Sequence, residues 1–275
     1  MAPSERRFVA ACVQMHSGDD KERNVATAAG LTRLAAQRGA RLVVLPEVFS
    51  WRGGAAGDSS AAEPLDGPTI VHFATLAREL GCTIVAGSIL ERPATPGGLP
   101  FNSSVVLGED GRTLAVYRKM HLFDVALPGR VEVRESARRA PGAEPVAVPT
   151  EVARLGLSVC YDLRFPELYR ELARRGAEVL CVPSAFTFPT GAAHWDVLLR
   201  ARAIENQCYV LAPNQIGPTA QGHADYGHSS IVDPWGTVIA RASDGEGVIT
   251  AELDLDFLAR VRAELPCLEH TRIKP

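Results

Sequence analysis

Residues 154–169 read RLGLSVCYDLRFPELY, and this stretch places a thiol where an apolar strand gives way to a polar turn. The run from Leu155 to Val159 has the length and composition of a short buried strand. Cys160 follows it directly, polar and charged residues come next, and a helix is predicted to begin near Pro166. Ligands and chemistry collect at strand ends in α/β sheets, so the position indicates a functional cysteine. A small buried structural cysteine is the alternative.

Outside this stretch the chain alternates strands with helices and hairpins. Helices are predicted at about 22–38, 69–80, 166–175, 192–206 and 254–264. Strands are predicted at 8–15, 41–49, 82–90, 101–108, 112–119, 153–159, 177–186, 208–214, 228–233, 236–242 and 247–253. Residues 128–145 are predicted to form an irregular functional loop. The pattern indicates a mixed α/β sheet protein, and the lack of repeats or linkers predicts one domain over residues 1–275.

Composition narrows the function classes. The 275 residues carry a net charge of −3, with acids and bases interspersed, so a nucleic-acid partner is not expected. No apolar run approaches the roughly 20 residues of a membrane helix, and the start of the chain lacks a signal-peptide core. The six cysteines are scattered without a CxxC pair. We therefore expect a cytoplasmic protein with reduced thiols, no membrane association and no disulfide framework.

Three segments share one pattern, in which an apolar strand ends at a reactive side chain. VVLPE ends at Glu47, LAVYRK at Lys119 and LGLSVC at Cys160. Taken singly, each residue has an ordinary structural explanation. Since parallel strands bring their ends to the same edge of a sheet, we expect the three side chains to lie together.

Together these groups suit acyl transfer. A cysteine is mostly protonated at neutral pH and needs a base or a cation to activate it. Glu47 is the candidate base, and Lys119 is the candidate stabiliser of the thiolate and of an oxyanion. The backbone N–H of Tyr161 is a candidate second oxyanion donor. The predicted reaction proceeds from an amide or nitrile through a thioester to water.

Other thiol and metal arrangements fit the sequence less well. None of the seven histidines has a distinctive setting beside Asn or Asp, which weakens a Cys–His dyad. The HEXXH motif of zinc hydrolases is absent, and no glycine-rich phosphate loop follows a strand.

Three segments resemble the hallmark motifs of the nitrilase superfamily of carbon–nitrogen hydrolases. They are LPEVF (45–49), YRKMHLFD (117–124) and SVCYDLRFPELYRELARRGAEVL (158–180). The similarity extends from FVAACVQM to HSSIVDPWGTVIA (228–240) and so covers nearly the whole chain. Within the superfamily, the chain is similar to the Nit branch, and more to its deaminated glutathione amidases than to its ω-amidases.

The resemblance implies a fold, an assembly and site residues. It implies a four-layer αββα sandwich that forms homodimers and binds no metal or organic cofactor. It gives Glu47 the role of general base, Lys119 that of charge stabiliser and Cys160 that of nucleophile. Glu135, in the predicted loop, matches a second glutamate that orients the lysine; a surface acid is the alternative.

Substrate contacts are predicted from the same segments. Arg164 is a candidate partner for a substrate carboxylate, although an ion pair with Asp162 or Glu167 is equally compatible with its position. Phe186 and Thr187 are predicted pocket walls, and Tyr161 is expected to contribute its backbone amide. Further arginines lie around Glu135, namely Arg130, Arg134 and Arg138.

The expected function is an amidase for a small-molecule amide, with Cys160 forming a thioester as ammonia leaves. The first substrate expectation is deaminated glutathione. Alternatives that keep the same trio are an ω-amidase acting on 2-oxoglutaramate, a nitrilase and an N-carbamoyl hydrolase. A catalytically idle dimeric scaffold is the alternative outside enzymology.

Overall fold

The computed structural model describes residues 6–129, 131–220 and 222–273. Its α-helices within those ranges are α1 (Lys21–Gln37), α2 (Asp58–Ala61), α3 (Pro68–Leu80), α4 (Pro166–Arg174), α5 (Phe188–Asn206) and α6 (Leu255–Glu264). None of these helices is both long and apolar enough to cross a membrane.

The strands fall into an N-terminal and a C-terminal series. The first series is β1 (Arg7–Gln14), β2 (Ala40–Val44), β3 (Thr83–Glu91), β4 (Phe101–Leu107), β5 (Thr113–Arg118), β6 (Asp124–Leu127) and β7 (Val131–Arg134). The second is β8 (Val146–Pro149), β9 (Arg154–Leu157), β10 (Val179–Cys181), β11 (Tyr209–Ala212), β12 (Ile216–Pro218), β13 (Ala224–Tyr226), β14 (Ser230–Val232), β15 (Val238–Arg241) and β16 (Gly247–Asp254).

Two six-stranded sheets form the centre of the molecule. The first has the order β16-β1-β2-β3-β4-β5, and the second has the order β15-β14-β11-β10-β9-β8. In the first sheet β1, β2 and β3 are parallel, and in the second β9, β10 and β11 are parallel. The remaining neighbours pair antiparallel. Each sheet is therefore mixed, with a parallel centre and antiparallel edges.

Strand alternation sorts the side chains of the first sheet into two layers. On β1, Ala10 and Cys12 pack in the core that is shared with the second sheet. Their neighbours Ala11 and Val13 pack in a separate core with α1 and α3. Because successive strand residues point to opposite faces, this sheet is covered on one face by helices and on the other by the second sheet.

The second sheet is covered in the same way by α4 and α5. Leu172 of α4 and Trp195 of α5 are buried in the core that contains the strands of this sheet. A Cβ atom at Gly156 of β9 would lie only 3.1 Å from the Leu172 Cβ, so the glycine allows α4 to approach the strand closely. The layers follow the order helix, sheet, sheet, helix, which confirms the predicted αββα sandwich.

Three local predictions were wrong. The strand predicted within 41–49, with its end at Pro46–Glu47, ends at Val44, although the Leu45 N–H still donates to the Val85 carbonyl of β3 at 3.0 Å. The loop predicted over 128–145 contains β7, which forms a hairpin with β6, and a 3₁₀ turn at Glu135–Ala137. Helix α5 begins at Phe188 rather than near 192 and has a proline in its first turn. That proline is tolerated because the first helical N–H groups have no partner within the helix.

Candidate active site

The three reactive strand ends meet in one pocket. Glu47 lies three residues beyond β2 and Lys119 directly follows β5, both in the first sheet, whereas Cys160 follows β9 of the second. Their exposed fractions are 4%, 2% and 7%. All three side chains line the pocket. The expectation that one sheet edge unites them was wrong, because the site draws on both sheets.

Cys160 sits in an unusual backbone conformation. Its φ angle is +49°, in the left-handed region that few residues other than glycine adopt. Its backbone N–H donates to the Pro183 carbonyl at 2.9 Å, and a 3₁₀ turn begins at the cysteine itself. Such a conformation persists only where the surrounding contacts hold it. The tight turn ends the strand and leaves the thiol at the pocket wall.

Asp162 holds this turn against the segment that carries the lysine. One carboxylate oxygen of this buried residue accepts from Val159 N–H at 2.8 Å and from the Tyr117 hydroxyl at 2.7 Å. The other accepts from His121 N–H at 3.1 Å and lies 2.7 Å from His121 Nδ1. Tyr117 and His121 flank Lys119, so Asp162 fixes the cysteine turn and the lysine relative to each other.

The Glu47 carboxylate is held through both of its oxygens. Oε1 accepts from Lys119 Nζ at 2.9 Å and from Asn102 Nδ2 at 2.8 Å. Oε2 accepts from the Ala185 N–H at 2.9 Å. The thiol of Cys160 lines the same pocket, and the charge of Glu47 acts on it. A buried carboxylate fixed beside a thiol is well placed to exchange a proton with it.

Glu135 lies on the other side of Lys119. Its Oε2 accepts from Lys119 Nζ at 2.9 Å and from Phe123 N–H at 2.7 Å, and its Oε1 accepts from Arg139 at 3.0 Å. Burial acts to raise the pKa of Glu135, but Lys119 and Arg139 outweigh it and hold that pKa well below its usual range. The surface-acid alternative is therefore wrong, since the side chain is 3% exposed.

The ammonium of Lys119 is stabilised by its two carboxylate neighbours. Burial acts to lower the pKa of Lys119, but the charges of Glu135 and Glu47 raise it above its ordinary value. The lysine is therefore charged at neutral pH. Two of its three N–H donors are directed at carboxylates, and the third remains for another acceptor.

The resting thiol of Cys160 is protonated. Burial and the charge of Glu47 raise the pKa of Cys160 well above its ordinary value, and Lys119 offsets only part of this shift. A thiol in this state needs a proton acceptor before it can act as a nucleophile, and the carboxylate of Glu47 lies in the same pocket.

The pocket has a volume of about 720 Å³ including its open mouth. Its lining includes three of the predicted substrate contacts, Tyr161, Phe186 and Thr187. Thr187 is buried, and its hydroxyl lies 2.8 Å from that of Thr190, which also lines the pocket. These positions agree with the predicted pocket walls, and their roles stay predictions.

The predicted arginine contacts occupy different places. The Arg164 guanidinium lies behind the pocket wall, over the rings of Phe186 and Tyr161 at 5.3 and 5.9 Å. Its Nη1 is 3.3 Å from His194 Nδ1, and an ion pair with Asp162 or Glu167 does not form. Arg138 lines the pocket. Arg134 is exposed outside it, and Arg130 lies outside the described residues.

Sequence reasoning missed several polar residues around the trio. Asn102 is fully buried on β4, and its amide donates to Glu47 at 2.8 Å and to Glu135 at 3.4 Å. A buried amide in the apolar strand FNSSVVL was a signal that could have been used, because buried polar groups need partners. The burial of Arg139 could not have been predicted in this way, because the composition of RESARRA is typical of a solvated loop.

The sequence matches the carbon–nitrogen hydrolase family over residues 9–263. Human deaminated glutathione amidase is 45% identical over 98% of this chain and 83% of its own length. Omega-amidase NIT2 of Danio rerio is 37% identical over 97% of this chain and 95% of its own.

Solved structures agree with this assignment. The C. elegans NitFhit protein superimposes with a TM-score of 0.91 at 40% identity. The match covers 97% of this chain but spans 65% of the NitFhit chain. This match shows a shared fold over almost the whole of the chain.

Proposed function

The chain belongs to the carbon–nitrogen hydrolase family and is a hydrolytic amidase, and we propose that Cys160 is its nucleophile. The observation that carries this proposal is that Cys160 shares a pocket lining with the buried, hydrogen-bonded residues Glu47, Lys119 and Glu135. Catalysis by such a site requires no group beyond these side chains and water.

In the proposed reaction, Glu47 accepts the thiol proton as Cys160 Sγ attacks the amide carbonyl carbon. The oxyanion that forms is stabilised by Lys119 and by the backbone N–H of Tyr161. Glu47 then transfers the proton to the leaving nitrogen, the C–N bond breaks and a thioester remains. Water, deprotonated by Glu47, attacks the thioester, and the carboxylic acid leaves as the thiol is restored. Glu135 is a positioning residue, since it touches Lys119 rather than the reacting atoms.

Deaminated glutathione is the substrate that the similarity to deaminated glutathione amidases supports best. This molecule is a 2-oxo acid joined through an amide to cysteinylglycine, with a carboxylate at each end. Hydrolysis of that amide releases an amine, not ammonia. The expectation of ammonia as leaving group therefore applies to primary amides such as 2-oxoglutaramate.

An ω-amidase activity is the second candidate, supported by the 37% identity to omega-amidase NIT2. A nitrilase or N-carbamoyl hydrolase would use the same trio, but the amidase names of the two reported enzymes support neither activity. A non-catalytic scaffold is disfavoured because Cys160, Glu47, Lys119 and Glu135 all line one pocket.

The substrate experiment compares four compounds with purified protein: deaminated glutathione, 2-oxoglutaramate, a simple nitrile and an N-carbamoyl amino acid. Products are measured both as ammonia and as new primary amine. Preferential release of cysteinylglycine from deaminated glutathione would support the first candidate. Preference for 2-oxoglutaramate would favour the ω-amidase. Lack of turnover of all four by folded protein would contradict both.

We also propose that residues 1–275 form one catalytic domain that dimerises in the cytoplasm. The shared core of the two sheets supports the single domain. Exposed apolar side chains on α5 and around β15 support a dimer contact; they are Val197, Ile204, Trp235 and Ile239. The free and mostly buried cysteines suit a reducing compartment. Light scattering at several concentrations measures the assembly, and a monomer throughout would contradict the dimer.

A further inference from the structure

Two arginines line the pocket, whereas the acidic residues that pair with them do not. Arg52 donates from Nε and Nη2 to the two carboxylate oxygens of Asp225, each at 2.5 Å. The Arg52 side chain is 15% exposed and lines the pocket, whereas Asp225 is 1% exposed and does not line it. The ion pair fixes the guanidinium and leaves its Nη1 group for a different acceptor.

Arg138 repeats this arrangement. Its Nη1 lies 3.3 Å from Asp58 Oδ2, and its side chain is 24% exposed against 4% for Asp58. Asp58 also accepts from Arg139 at 3.2 Å, so one carboxylate serves two guanidinium groups. Arg138 lines the pocket and Asp58 does not. The positive charge of Arg138 is therefore directed at the pocket and only partly neutralised.

The pocket lining contains more positively charged than negatively charged side chains. Within the described part of the chain, the lining contains two carboxylates and four side chains of permanent positive charge, namely Glu47, Glu135, Arg52, Lys119, Arg138 and Arg139. Lys119 contacts both carboxylates and Arg139 contacts one of them. Arg52 and Arg138 are thus the two cations of the described lining that neither Glu47 nor Glu135 contacts, since their partners Asp225 and Asp58 lie outside the lining.

These two arginines share the pocket lining with Cys160 and Glu47. The charge of Glu47 acts on Arg52, and Arg52 in turn acts on Arg138 and on His223. Burial and Arg52 lower the pKa of His223, which also lines the pocket. At neutral pH this imidazole is therefore an uncharged neighbour, and the two guanidinium groups supply the local charge.

We propose that Arg52 and Arg138 form a subsite for a second carboxylate of the amide substrate. This carboxylate lies on the opposite side of the scissile amide from the 2-oxo acid end. The inference rests on the proposed amidase function. Guanidinium groups are suited to this ligand because their planar N–H donors match the two oxygens of a carboxylate. Deaminated glutathione has a carboxylate on both sides of its amide, and 2-oxoglutaramate has one only. The subsite would therefore favour the longer dianion.

The test compares Arg138→Gln with wild type on three substrates: deaminated glutathione, its glycine methyl ester and 2-oxoglutaramate. We expect kcat/KM for deaminated glutathione to fall about 10- to 100-fold, mainly through KM. The values for the ester and for 2-oxoglutaramate should stay unchanged, which also shows that the catalytic centre is intact. Arg134→Gln, a nearby exposed arginine outside the pocket, is the matched control and should change none of the three.

Arg52→Lys provides a second variant, because lysine keeps a charge beside Asp225 but loses the planar fork. We expect the same selective loss. An equal loss on all three substrates, or no loss with either variant, would overturn the subsite.

Binding separates this proposal from the proposed function. Calorimetry with Cys160→Ala measures the affinity for uncleaved deaminated glutathione, and adding Arg138→Gln should weaken it by the same factor. Failure of Cys160→Ala to bind this probe would overturn the subsite. Binding without any turnover by wild type would instead overturn the proposed function and leave the subsite standing.

Discussion

The Nζ atom of Lys119 lies 2.9 Å from Glu47 Oε1, and both side chains are almost completely buried. A second carboxylate, that of Glu135, lies at the same distance from the ammonium. The lysine therefore stabilises two buried charges, and in the proposed mechanism its third N–H donor serves the oxyanion.

Replacement of Lys119 should affect both turnover and stability. Lys119→Ala removes the proposed oxyanion donor, so we expect kcat to fall by at least about 100-fold. It also leaves Glu47 and Glu135 without their shared cation, which should lower the free energy of unfolding by about 3 kcal/mol. Steady-state kinetics and urea unfolding measure the two effects. A stable variant with near-normal kcat would contradict both roles.

Glu135 should influence the rate through Lys119. Glu135→Gln keeps a side chain of the same shape but removes the charge that raises the pKa of Lys119. We expect kcat to fall about 10- to 100-fold, less than for loss of a residue that touches the substrate. Glu132→Gln, an exposed glutamate on β7, is the matched control and should behave as wild type. Equal rates for the two variants would argue against the positioning role.

Acid should remove the stability that Glu135 provides. Its pKa is depressed in the folded protein, so its contribution is complete above the unfolded value of about 4.3 and is lost as pH falls below it. The difference in unfolding free energy between wild type and Glu135→Gln should therefore shrink from pH 6 towards pH 3. Urea unfolding at several pH values measures this difference. If it stayed constant with pH, the depressed pKa would be wrong.

Iodoacetamide labelling of Cys160, measured beside turnover, should distinguish the two effects of Glu47 on this thiol. Its charge raises the pKa of Cys160, yet its carboxylate is the proposed base. Glu47→Gln should therefore reduce turnover by at least about 100-fold while moving iodoacetamide labelling of Cys160 to lower pH, because the thiolate is the reactive form.

Peptide-level mass spectrometry resolves this labelling from that of the other cysteines. Burial raises the pKa of Cys82 and Cys208 to about 11 and that of Cys181 to about 12, so these thiols should stay unlabelled at neutral pH. An unchanged or higher labelling pH for Cys160 in Glu47→Gln would contradict the assigned electrostatics.

The αββα layers were predicted by the family resemblance, whereas the strand and helix pattern predicted only a mixed α/β sheet protein. The convergence of the trio was predictable because abrupt strand ends are local features. Glu47, Lys119 and Cys160 each follow an apolar run that can be read directly. The supporting residues depend on contacts between distant segments. Asn102 reaches Glu47 from 55 positions away, and Arg52 pairs with Asp225 across 173. No local sequence pattern predicts such pairs. The left-handed φ angle of Cys160 likewise depends on the surrounding structure.

Turnover by Cys160→Ala is the most direct test of the central claim, that this thiol forms the acyl intermediate. The variant should keep the wild-type fold by circular dichroism and thermal unfolding, because it removes one sulfur atom from a pocket wall. With the best substrate of the panel, we expect its rate of amine or ammonia release to fall at least about 1,000-fold. A folded Cys160→Ala protein that retains most of the wild-type rate would contradict the account.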